Sequence, residues 1–371
     1  MTESRATVLI PVFQAAHLLP ALAQSLASQC RAFDEKTFGR LLIIAIDNCS
    51  MDGTADRFVQ LMDDHGLSDR FTMLRNERNL GLAGSLNRGL ASVRTDFVIT
   101  CHADCRFASD DYASTVVRVL AEDPDVAAVT GVPLLDPEGA GAIDRIYAAS
   151  NLMDLGSPGE VPRGGMVEDI GFAEGRCDGF RMSALRRAGL YDTRVRLAGE
   201  DQLLSARLVA DGGRVVQHTG IGYFLGLSPQ QDSLWRTVAH QRRLGQPAAF
   251  ILLHPGVGSG AFGGRSGGNR RRRSILRALQ MLNVLAMGWW MFRALRRRRA
   301  RAPAAIAIAA SAARQFQMQS APGVRLTLTD RIALLVMQPA WDVAWVEGFA
   351  EGLGPVIRHR VHAAAQKGDE S

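Results

Sequence analysis

The stretch Leu41–Thr54, LLIIAIDNCSMDGT, decides the fold class of this chain. Its first half is an apolar, β-rich run that stops abruptly at Asp47, and its last three letters, DGT, are typical of the start of a helix. A strand that leads through a polar turn into a helix is the repeating part of a parallel α/β sheet. The stretch therefore predicts such a sheet, with polar residues at the carboxyl end of one strand.

The same alternation continues on both sides of this stretch. Strands are predicted over Thr7–Val12, Leu41–Ile46, Phe71–Leu74, Asp96–Thr100 and Val126–Val132, and helices over Leu18–Gln29, 54–65, Leu82–Val93 and Ser109–Leu120. This order predicts an α/β domain with a mainly parallel central sheet and helices on both faces. Residues 133–175 are rich in Gly and Pro and predict loops, either over a site or on the plain surface. Structure is expected to resume at Arg176–Met182, followed by helices Glu200–Asp211 and Ser233–Leu244.

The composition limits the class of protein. With 371 residues, 47% of them hydrophobic, the chain is long enough for one large domain and an appendage. Met1–Thr7 is polar and the apolar run after it is short, so no secretory signal is expected. Five cysteines, odd in number and spaced like no disulfide framework, favour a reducing, cytoplasmic setting. Cys101 and Cys105 resemble half of a zinc site, but no second thiolate pair follows them.

The charge is unevenly distributed along the chain. Between Asp232 and Asp330 the sequence has 17 arginines and no acidic residue, whereas the rest of the chain is net acidic. Such a basic block predicts a partner that bears phosphate, either a nucleic acid or an anionic lipid. We divide the chain into a domain over 1–255, a Gly/Ser/Arg linker over 256–274 and a basic helical region over 275–371.

The basic region contains one apolar run, Ile275–Phe292, with Trp289 and Trp290 near its end and arginines at 270–273 and 296–299 on either side. Three polar residues interrupt the run near one helical stripe: Arg277, Gln280 and Asn283. Spanning a bilayer takes about 20 apolar residues, so the run is marginal for that role. A helix in the membrane interface fits it better, and a core helix is the alternative. Such a helix has no clear use on nucleic acid, so we expect an anionic membrane surface as partner and no nucleic acid.

Polar clusters follow three of the predicted strands. They are Pro11-Val12-Phe13-Gln14, the segment from Asp47 to Thr54, and Cys101-His102-Ala103-Asp104-Cys105. Ligands of open α/β sheets bind beyond the carboxyl ends of the strands, so the three clusters predict one shared cleft. A turn or capping role explains Ser50, Asp52 and Gly53 equally well. No Gly-rich fingerprint follows the first strand, which argues against a dinucleotide-binding dehydrogenase.

Taken together, these segments resemble the inverting family 2 glycosyltransferases of the GT-A fold, over about residues 5–250. IDNCSMDGT resembles that family's Asp-Asp-Gly-Ser-x-Asp-Gly-Thr segment, and RNERNLGLAGSLNRGL resembles its Asn-x-Gly…Arg-Asn-x-Gly helix, matched at Asn79, Gly81, Asn87 and Gly89. HADC stands where the family has Asp-x-Asp. The segment FRMSALRRAGLYDTRVRLAGEDQLL resembles the acceptor-side segment with its Glu-Asp pair, and HQRRLG faintly resembles a later motif, with Leu244 in place of Trp.

The resemblance implies a nucleotide-sugar donor, bound partly by Asp47 through a hydrogen bond from the base. It implies donor-binding roles for Pro11, Phe13, Asp47, Asn48, Asn79, Gly81, Asn87, His102 and Asp104. The donor leaves as a diphosphate, and a divalent cation can stabilise the charge that develops on it. Asp104 is the candidate ligand for this ion, which would be Mg²⁺ or Mn²⁺, because both prefer hard oxygen donors.

An acceptor hydroxyl loses its proton as it attacks, so the reaction needs a general base. The resemblance places this base at Asp201, with Glu200 next in line. The alternative is a purely structural role, because two carboxylates at the start of a helix interact favourably with its dipole.

Two positions depart from the family pattern. His102 replaces the first Asp of the metal motif, and a neutral imidazole brings no negative charge. Leu225 stands about where the family often has a metal-binding His, while the earlier His218 is expected to be structural.

The resemblance implies an inverting, metal-dependent transferase of the hexosyltransferase type that acts on a UDP- or GDP-sugar. The acceptor would be a glycan or a lipid-linked sugar in cell-surface polysaccharide biosynthesis. We expect a cytoplasmic protein that is peripheral on the inner face of the cell membrane. The alternative is a catalytically degenerate GT-A module that binds a nucleotide sugar or partner proteins.

Overall fold

The computed structural model describes residues 5–136, 140–150, 155, 165–170, 172–195, 199–226, 233–253, 275, 278–290, 301–320 and 323–368. The chain forms two compact units, and each comprises two separate segments of the sequence. One unit comprises Met1–Gly139 and Leu155–Gly226, and the other comprises Ala140–Asp154 and Leu227–Ser371. We call them the sheet unit and the helical unit.

The sheet unit alternates strands and helices through most of its length. Its strands are β1 (Ala6–Val12), β2 (Leu41–Asp47), β3 (Phe71–Arg75), β4 (Phe97–Thr100), β5 (Cys105–Phe107), β6 (Val126–Leu135), β7 (Val167–Asp169), β8 (Asp178–Arg181) and β9 (Arg214–Leu225). Its helices are α1 (Leu19–Ala32), α2 (Glu35–Phe38), α3 (Thr54–Asp64), α4 (Gly81–Ser92), α5 (Tyr112–Glu122), α7 (Met182–Arg187) and α8 (Glu200–Ala210). A 3₁₀ turn, Ser68–Arg70, leads into β3. The first five predicted strands are all present, within three residues at each end.

The strands form one nine-stranded sheet in the order β3-β2-β1-β4-β8-β6-β9-β5, with β7 paired to β9. The first four strands are parallel, as the sequence predicts. Beyond them the sheet is mixed, because β8 runs antiparallel to both β4 and β6. The architecture is the GT-A type, in which a parallel half continues into a mixed half.

Helices cover both faces of the parallel half. Six of the seven residues of β1 are buried as a result. Helix α4 lies directly on the sheet at Gly89. A side chain there would place its Cβ 2.5 Å from Leu9 Cδ1 and 2.6 Å from Ile46 Cδ1. Only glycine allows this approach, which holds the last turns of α4 against β1 and the end of β2.

The helical unit consists of α6 (Ala142–Ser150), α9 (Leu234–Leu253), α10 (278–290), α11 (Arg301–Gln319) and α12 (Leu328–Gly368). Its main apolar cluster joins Ile146, Ala149, Met318, Leu334, Met337 and Trp341. The helical unit includes Leu227–Ser371, and within it α9 packs along α12. The predicted linker over 256–274 lies outside the described residues. Among the helices that the structure describes, none combines the length and apolarity needed to cross a bilayer.

Candidate active site

The carboxyl ends of β1, β2 and β4 meet at one edge of the sheet, because these strands are parallel neighbours. The two loops after β1 and β2 are bonded together. Asn48 N–H donates to Val12 O at 2.9 Å, and Gln14 N–H donates to Ser50 Oγ at 3.0 Å. The Asp52 carboxylate accepts from Ala16 N–H at 3.1 Å. Ser50 and Asp52 therefore fix the loops, which is the turn role that the sequence left open.

Asp47 ends β2 and is buried, with 5% of its surface exposed. Its two carboxylate oxygens accept from Ser50 N–H at 3.2 and 3.3 Å. Pro11 is half-buried and Phe13 is 44% exposed at the same edge. The side chain of Asp47 is thus held in place and retains acceptor capacity for a donor's base.

Asn48 and Asn79 are joined by a network that shapes the segment before α4. Asn48 Nδ2 donates to Asn79 Oδ1 at 2.9 Å, while Asn48 Oδ1 accepts from Asn76 Nδ2 at 2.9 Å. Asn79 Oδ1 also accepts from the N–H of Gly81 at 2.8 Å. These bonds position the loop at the strand edge, so the two amides act through the backbone they order.

Asn87, to which the resemblance gives a donor-binding role, bonds the backbone of Tyr191. Its Nδ2 donates to Tyr191 O at 2.8 Å, and its Oδ1 accepts from Tyr191 N–H at 3.0 Å. Through these two bonds Asn87 joins α4 to the segment between α7 and α8. This structural link stands beside the donor-binding role that the resemblance implies, which stays a prediction.

A short segment before β8, residues 174–178, crosses the end of β4. Arg176 O accepts from His102 N–H at 3.0 Å, and Asp178 O accepts from Thr100 Oγ1 at 3.2 Å. The segment is thereby fixed next to the HADC sequence. It carries two residues toward the candidate carboxylates, Arg176 toward Asp104 and Gly175 toward Asp201.

Asp104 forms an ion pair with Arg176, with 3.4 Å between Oδ2 and Nη1. Both side chains are largely buried. A cavity of about 390 Å³ in the sheet unit reaches Asp104, with Leu225, His17 and Arg106 also in its wall. Leu225 pairs with Cys105 in β5, and the next residue, Gly226, donates its N–H to Asp104 O at 2.6 Å. The position expected for a metal-binding His therefore lies in the wall of the same cavity as Asp104, and it holds an apolar side chain.

Arg176 was not found by sequence reasoning. It lies in an irregular segment, where neither helical nor strand periodicity marks a residue as facing a site. Only the crossing of β4 by residues 174–178 reveals that its charge is placed beside Asp104.

His102 stays neutral in this environment. Burial of its ring, with the positive charge of Arg176 acting in the same direction, lowers the pKa of His102 to about 4 despite the nearby Asp104. Its Nε2 is buried and has no hydrogen-bond partner among the described residues. The donor end of the site thus holds one carboxylate and a neutral imidazole, which remains able to bond a ligand hydroxyl.

Glu200 and Asp201 open α8, directly after Gly199, whose φ of 95° is left-handed. Gly175 packs against Asp201, since a Cβ on Gly175 would lie 3.2 Å from Asp201 Cβ. Burial raises the pKa of Asp201 well above its ordinary value, and the neighbouring Glu200 raises it further. Burial also raises the pKa of Glu200. Once ionised, a carboxylate with a raised pKa is the stronger base, so Asp201 is a candidate proton acceptor.

Three buried thiols lie beneath the HADC loop, and Cys177 Sγ is 3.8 Å from Cys101 Sγ. Burial raises the pKa of Cys177 and of Cys105, so both remain protonated and pack as apolar groups. Among the described residues, no three His, Cys, Asp or Glu side chains are arranged to hold a metal ion by themselves.

The sequence of residues 7–146 matches the model of glycosyl transferase family 2. The matched segment runs from β1 to α6 and includes Asp47, Asn79 and Asp104. No curated protein sequence matches the chain as a relative.

Solved structures similar to this chain are glycosyltransferases. The mannosyltransferase PcManGT from Pyrobaculum calidifontis, in complex with GDP-Man and Mn²⁺, superposes with a TM-score of 0.53 at 18% identity, over 95% of this chain and 88% of that one. S. aureus TarS 1–349 with UDP gives 0.45 at 14% identity, over 85% and 90%. GalNAc-T7 with UDP, GalNAc and Mn²⁺ gives 0.47 at 16% identity, over 68% and 52%. At such identities the likeness to PcManGT shows the GT-A fold, and the family 2 match indicates glycosyl transfer as the class of reaction.

Proposed function

We propose that this family 2 domain transfers a sugar from a nucleoside-diphosphate donor to an acceptor hydroxyl, with inversion at the anomeric carbon. The observation that carries the proposal is the path of residues 174–178. Arg176 contacts Asp104 at the donor end, and its neighbour Gly175 contacts Asp201 at the start of α8. This path supports the proposal, because two adjacent residues contact the candidate donor-side carboxylate and the candidate base.

In the proposed step, the acceptor oxygen forms a bond to the anomeric carbon while the bond from that carbon to the diphosphate oxygen breaks. Asp201 accepts the proton that the acceptor hydroxyl loses. The leaving diphosphate takes the electron pair of the broken bond, so negative charge grows at the donor end. The Arg176 guanidinium can offset that charge with hydrogen bonds to phosphate oxygens.

A divalent cation fits this site only if the donor brings most of its ligands. Asp104 supplies one carboxylate, and ions such as Mg²⁺ often bind through one or two carboxylates together with substrate phosphates and water. PcManGT, which shares the fold, forms a complex with Mn²⁺ and GDP-Man, and this supports a cation of the same class here. When bound, the ion would supply Lewis-acid stabilisation of the diphosphate.

The acceptor is proposed to be a glycan or lipid-linked sugar, and the donor a UDP- or GDP-sugar. The complex of PcManGT with GDP-Man supports a nucleoside-diphosphate sugar as the donor class. The choice between the two bases, and a role in surface polysaccharide biosynthesis, stay predictions from the sequence.

The proposal is tested by thermal-shift screening of UDP- and GDP-sugars, with and without Mn²⁺. A ligand that binds only the folded state raises the melting temperature. The stabilising donor is then incubated with candidate acceptors, and the anomeric configuration of the product is read by proton NMR. Inverted product supports the proposal, and retained configuration contradicts it. Donor binding without transfer or hydrolysis would favour the degenerate binding module.

A further inference from the structure

The helical unit carries apolar side chains where a helix in water carries polar ones. In α11, every exposed residue from 304 to 316 is Ala, Ile or Phe, and Phe316 is 76% exposed. These residues are Ala305, Ile306, Ile308, Ala309, Ala312, Ala313 and Phe316. The outward stripe of this helix is therefore uninterrupted by a polar group over more than three turns.

Helices α10 and α12 repeat the pattern. The exposed large residues of α12 between 330 and 340 include Ile332, Leu335 and Val336, of which Val336 is 66% exposed. Those of α10 are Leu282, Leu285, Trp289 and Trp290. Only the α10 residues fall within the run that the sequence singles out, so the exposed faces of α11 and α12 are findings of the structure.

Several polar residues of the same helices are buried. Arg314 of α11 and Asp342 of α12 are fully buried and form an ion pair. Asn283 of α10 donates to Asp342 Oδ2 at 2.9 Å. Gln315 Nε2 donates to Gln338 Oε1 at 2.7 Å. A connected polar network thus occupies the interior that α10, α11 and α12 share.

The exposed apolar faces of these helices differ from the faces that water selects. A helix on a water-soluble domain turns its apolar stripe inward, and large exposed apolar patches mark a contact surface. In an apolar medium, polar and ionised side chains face the bundle interior and pair with one another, as Arg314 and Asp342 do. The medium that fits this unit is therefore the acyl layer of a membrane.

The charge of the chain identifies the kind of membrane. The stretch from 233 to 329, which includes α10 and α11, has 17 arginines and no acidic residue. Near an anionic leaflet each arginine adds favourable energy, so a basic segment next to an apolar surface complements acidic headgroups above acyl chains.

We propose that the exposed apolar side chains of α10, α11 and α12 form a docking surface for a membrane that contains anionic lipid. The surface places Leu285, Phe316 and Val336 among acyl chains, and the basic composition of the stretch 233–329 favours acidic headgroups. The lipid surface then becomes the partner of the helical unit, whichever sugar the sheet unit transfers.

The test uses the full-length protein and vesicle co-sedimentation. Vesicles of phosphatidylcholine alone are compared with vesicles that also contain phosphatidylglycerol, at low and high salt. We expect binding to both, stronger on the anionic vesicles, with the difference lost at high salt. The combined variant Ile308→Gln, Phe316→Gln, Leu335→Gln and Val336→Gln should lower partitioning at least about tenfold on both kinds of vesicle.

A matched control carries Val59→Gln and Val209→Gln, which are exposed apolar residues of α3 and α8 in the sheet unit. The control should bind vesicles like the wild type. Unchanged binding of the four-residue variant, or no binding of the wild type to any vesicle, would overturn the proposal. A wild type that dimerises in solution through this surface, and ignores vesicles, would also overturn it, because a second copy would then be the partner.

A second measurement needs no variant that might unfold. Vesicles with a quencher on the acyl chain should quench the tryptophan fluorescence of the wild-type protein. Trp289→Phe with Trp290→Phe should remove much of that quenching. Fluorescence that vesicle-borne quenchers leave unaffected, in a protein that nevertheless sediments with vesicles, would place the apolar surface outside the membrane and contradict the proposal.

Discussion

At the scale of single residues, the donor end of the site is defined by its charges. Asp104 is its carboxylate, His102 is neutral because burial lowers its pKa to about 4, and Arg176 brings a positive charge. A site that recognised a diphosphate through a cation alone would gain nothing from a guanidinium at this place. We therefore expect Asp104 and Arg176 to serve different parts of donor binding.

The first prediction separates the two residues by the metal dependence of nucleotide binding. Asp104→Asn should remove the extra affinity for the nucleoside diphosphate that Mn²⁺ confers and leave the affinity in EDTA unchanged. Arg176→Gln should weaken binding by about 10- to 100-fold with or without Mn²⁺, because hydrogen bonds to charged groups contribute about 1.5–3 kcal/mol. Isothermal titration calorimetry under both conditions measures these effects.

Arg187→Gln is the matched control, since Arg187 also pairs with an aspartate, Asp211, but lies in α7 with most of its side chain exposed. Its affinity should equal that of the wild type. If Arg176→Gln binds normally in EDTA, the guanidinium does not contact the diphosphate.

The base end of the site depends on a carboxylate that burial makes harder to ionise. Burial and the neighbouring Glu200 raise the pKa of Asp201. The folded protein therefore holds the proton of Asp201 more tightly than the unfolded chain does. The stabilising effect of the protonated form is complete at acid pH and is lost as pH rises through the raised pKa, so ionised Asp201 costs stability at neutral pH.

The second prediction is that Asp201→Asn lowers activity and raises stability. Turnover should fall by a factor on the order of 10²–10⁴ because the base is lost, with donor affinity unchanged. The melting temperature at neutral pH should rise, because a buried charge is removed. Asp192→Asn is the opposite control: its hydrogen bond and ion pair with Arg194 lower the pKa of Asp192 to about 2, so this variant should melt at a lower temperature.

The third prediction concerns the pH profile of turnover. Because the base must be ionised, kcat should fall as pH decreases through the raised pKa of Asp201, at a midpoint above the ordinary aspartate value of about 3.9. Asp201→Asn should lack this acid limb in its residual activity. A limb that survives unchanged in the variant would assign the base to another group.

At the scale of elements, α4 shows how one helix positions the acceptor side of the site. Asn87 spans from α4 to the backbone of Tyr191, and the chain continues from there to α8 with Asp201. Loss of the Asn87 amide leaves the N–H and the carbonyl of Tyr191 without these partners.

The fourth prediction is that Asn87→Ala destabilises the fold by about 1–3 kcal/mol, the usual cost of buried groups left unpaired. Nucleotide affinity should stay within about twofold if the bonds of the Asn87 amide to Tyr191 are its main role. Urea unfolding and calorimetry measure the two quantities. Ser92→Ala, an exposed position of the same helix, should leave both unchanged. A large loss of affinity with normal stability would restore Asn87 to the donor site.

The sequence predicted correctly those elements whose own residues form a clear local pattern. The strands from β1 to β4 are apolar runs that end in polar turns, and the Asp47 and Asp104 clusters were found because they follow such runs. It missed α6 within the Gly- and Pro-rich segment, and it could not give the antiparallel pairing of β8, which has only four residues. The pairing of β8 and the ion pair between Asp104 and Arg176 depend on contacts between segments that are distant in sequence. No local sequence pattern therefore predicts them.

At the scale of the whole molecule, the two units are interleaved in sequence. Helix α6 leaves the chain of the sheet unit between β6 and β7, yet its apolar residues Ile146 and Ala149 pack on Met318, Leu334 and Trp341 of the helical unit. Arg145 also bonds Asp330 there, at 2.8 Å. Cutting the chain after the sheet unit therefore leaves α6 without its partners.

The last prediction uses this interleaving. A chain ending at Gly226 should aggregate or bind a hydrophobic dye, because Ile146, buried in the full chain, becomes exposed. Ile146→Gln should improve the solubility of that short chain. In the full-length protein the same substitution should lower stability by about 2–5 kcal/mol, the range for removing a large apolar side chain from a core. One substitution thus has opposite effects in the two chains, which size-exclusion chromatography and thermal melts would measure. If the chain ending at Gly226 is equally soluble with and without Ile146→Gln, exposure of Ile146 is not what makes it aggregate. That result would mean that α6 does not need the helical unit to cover it.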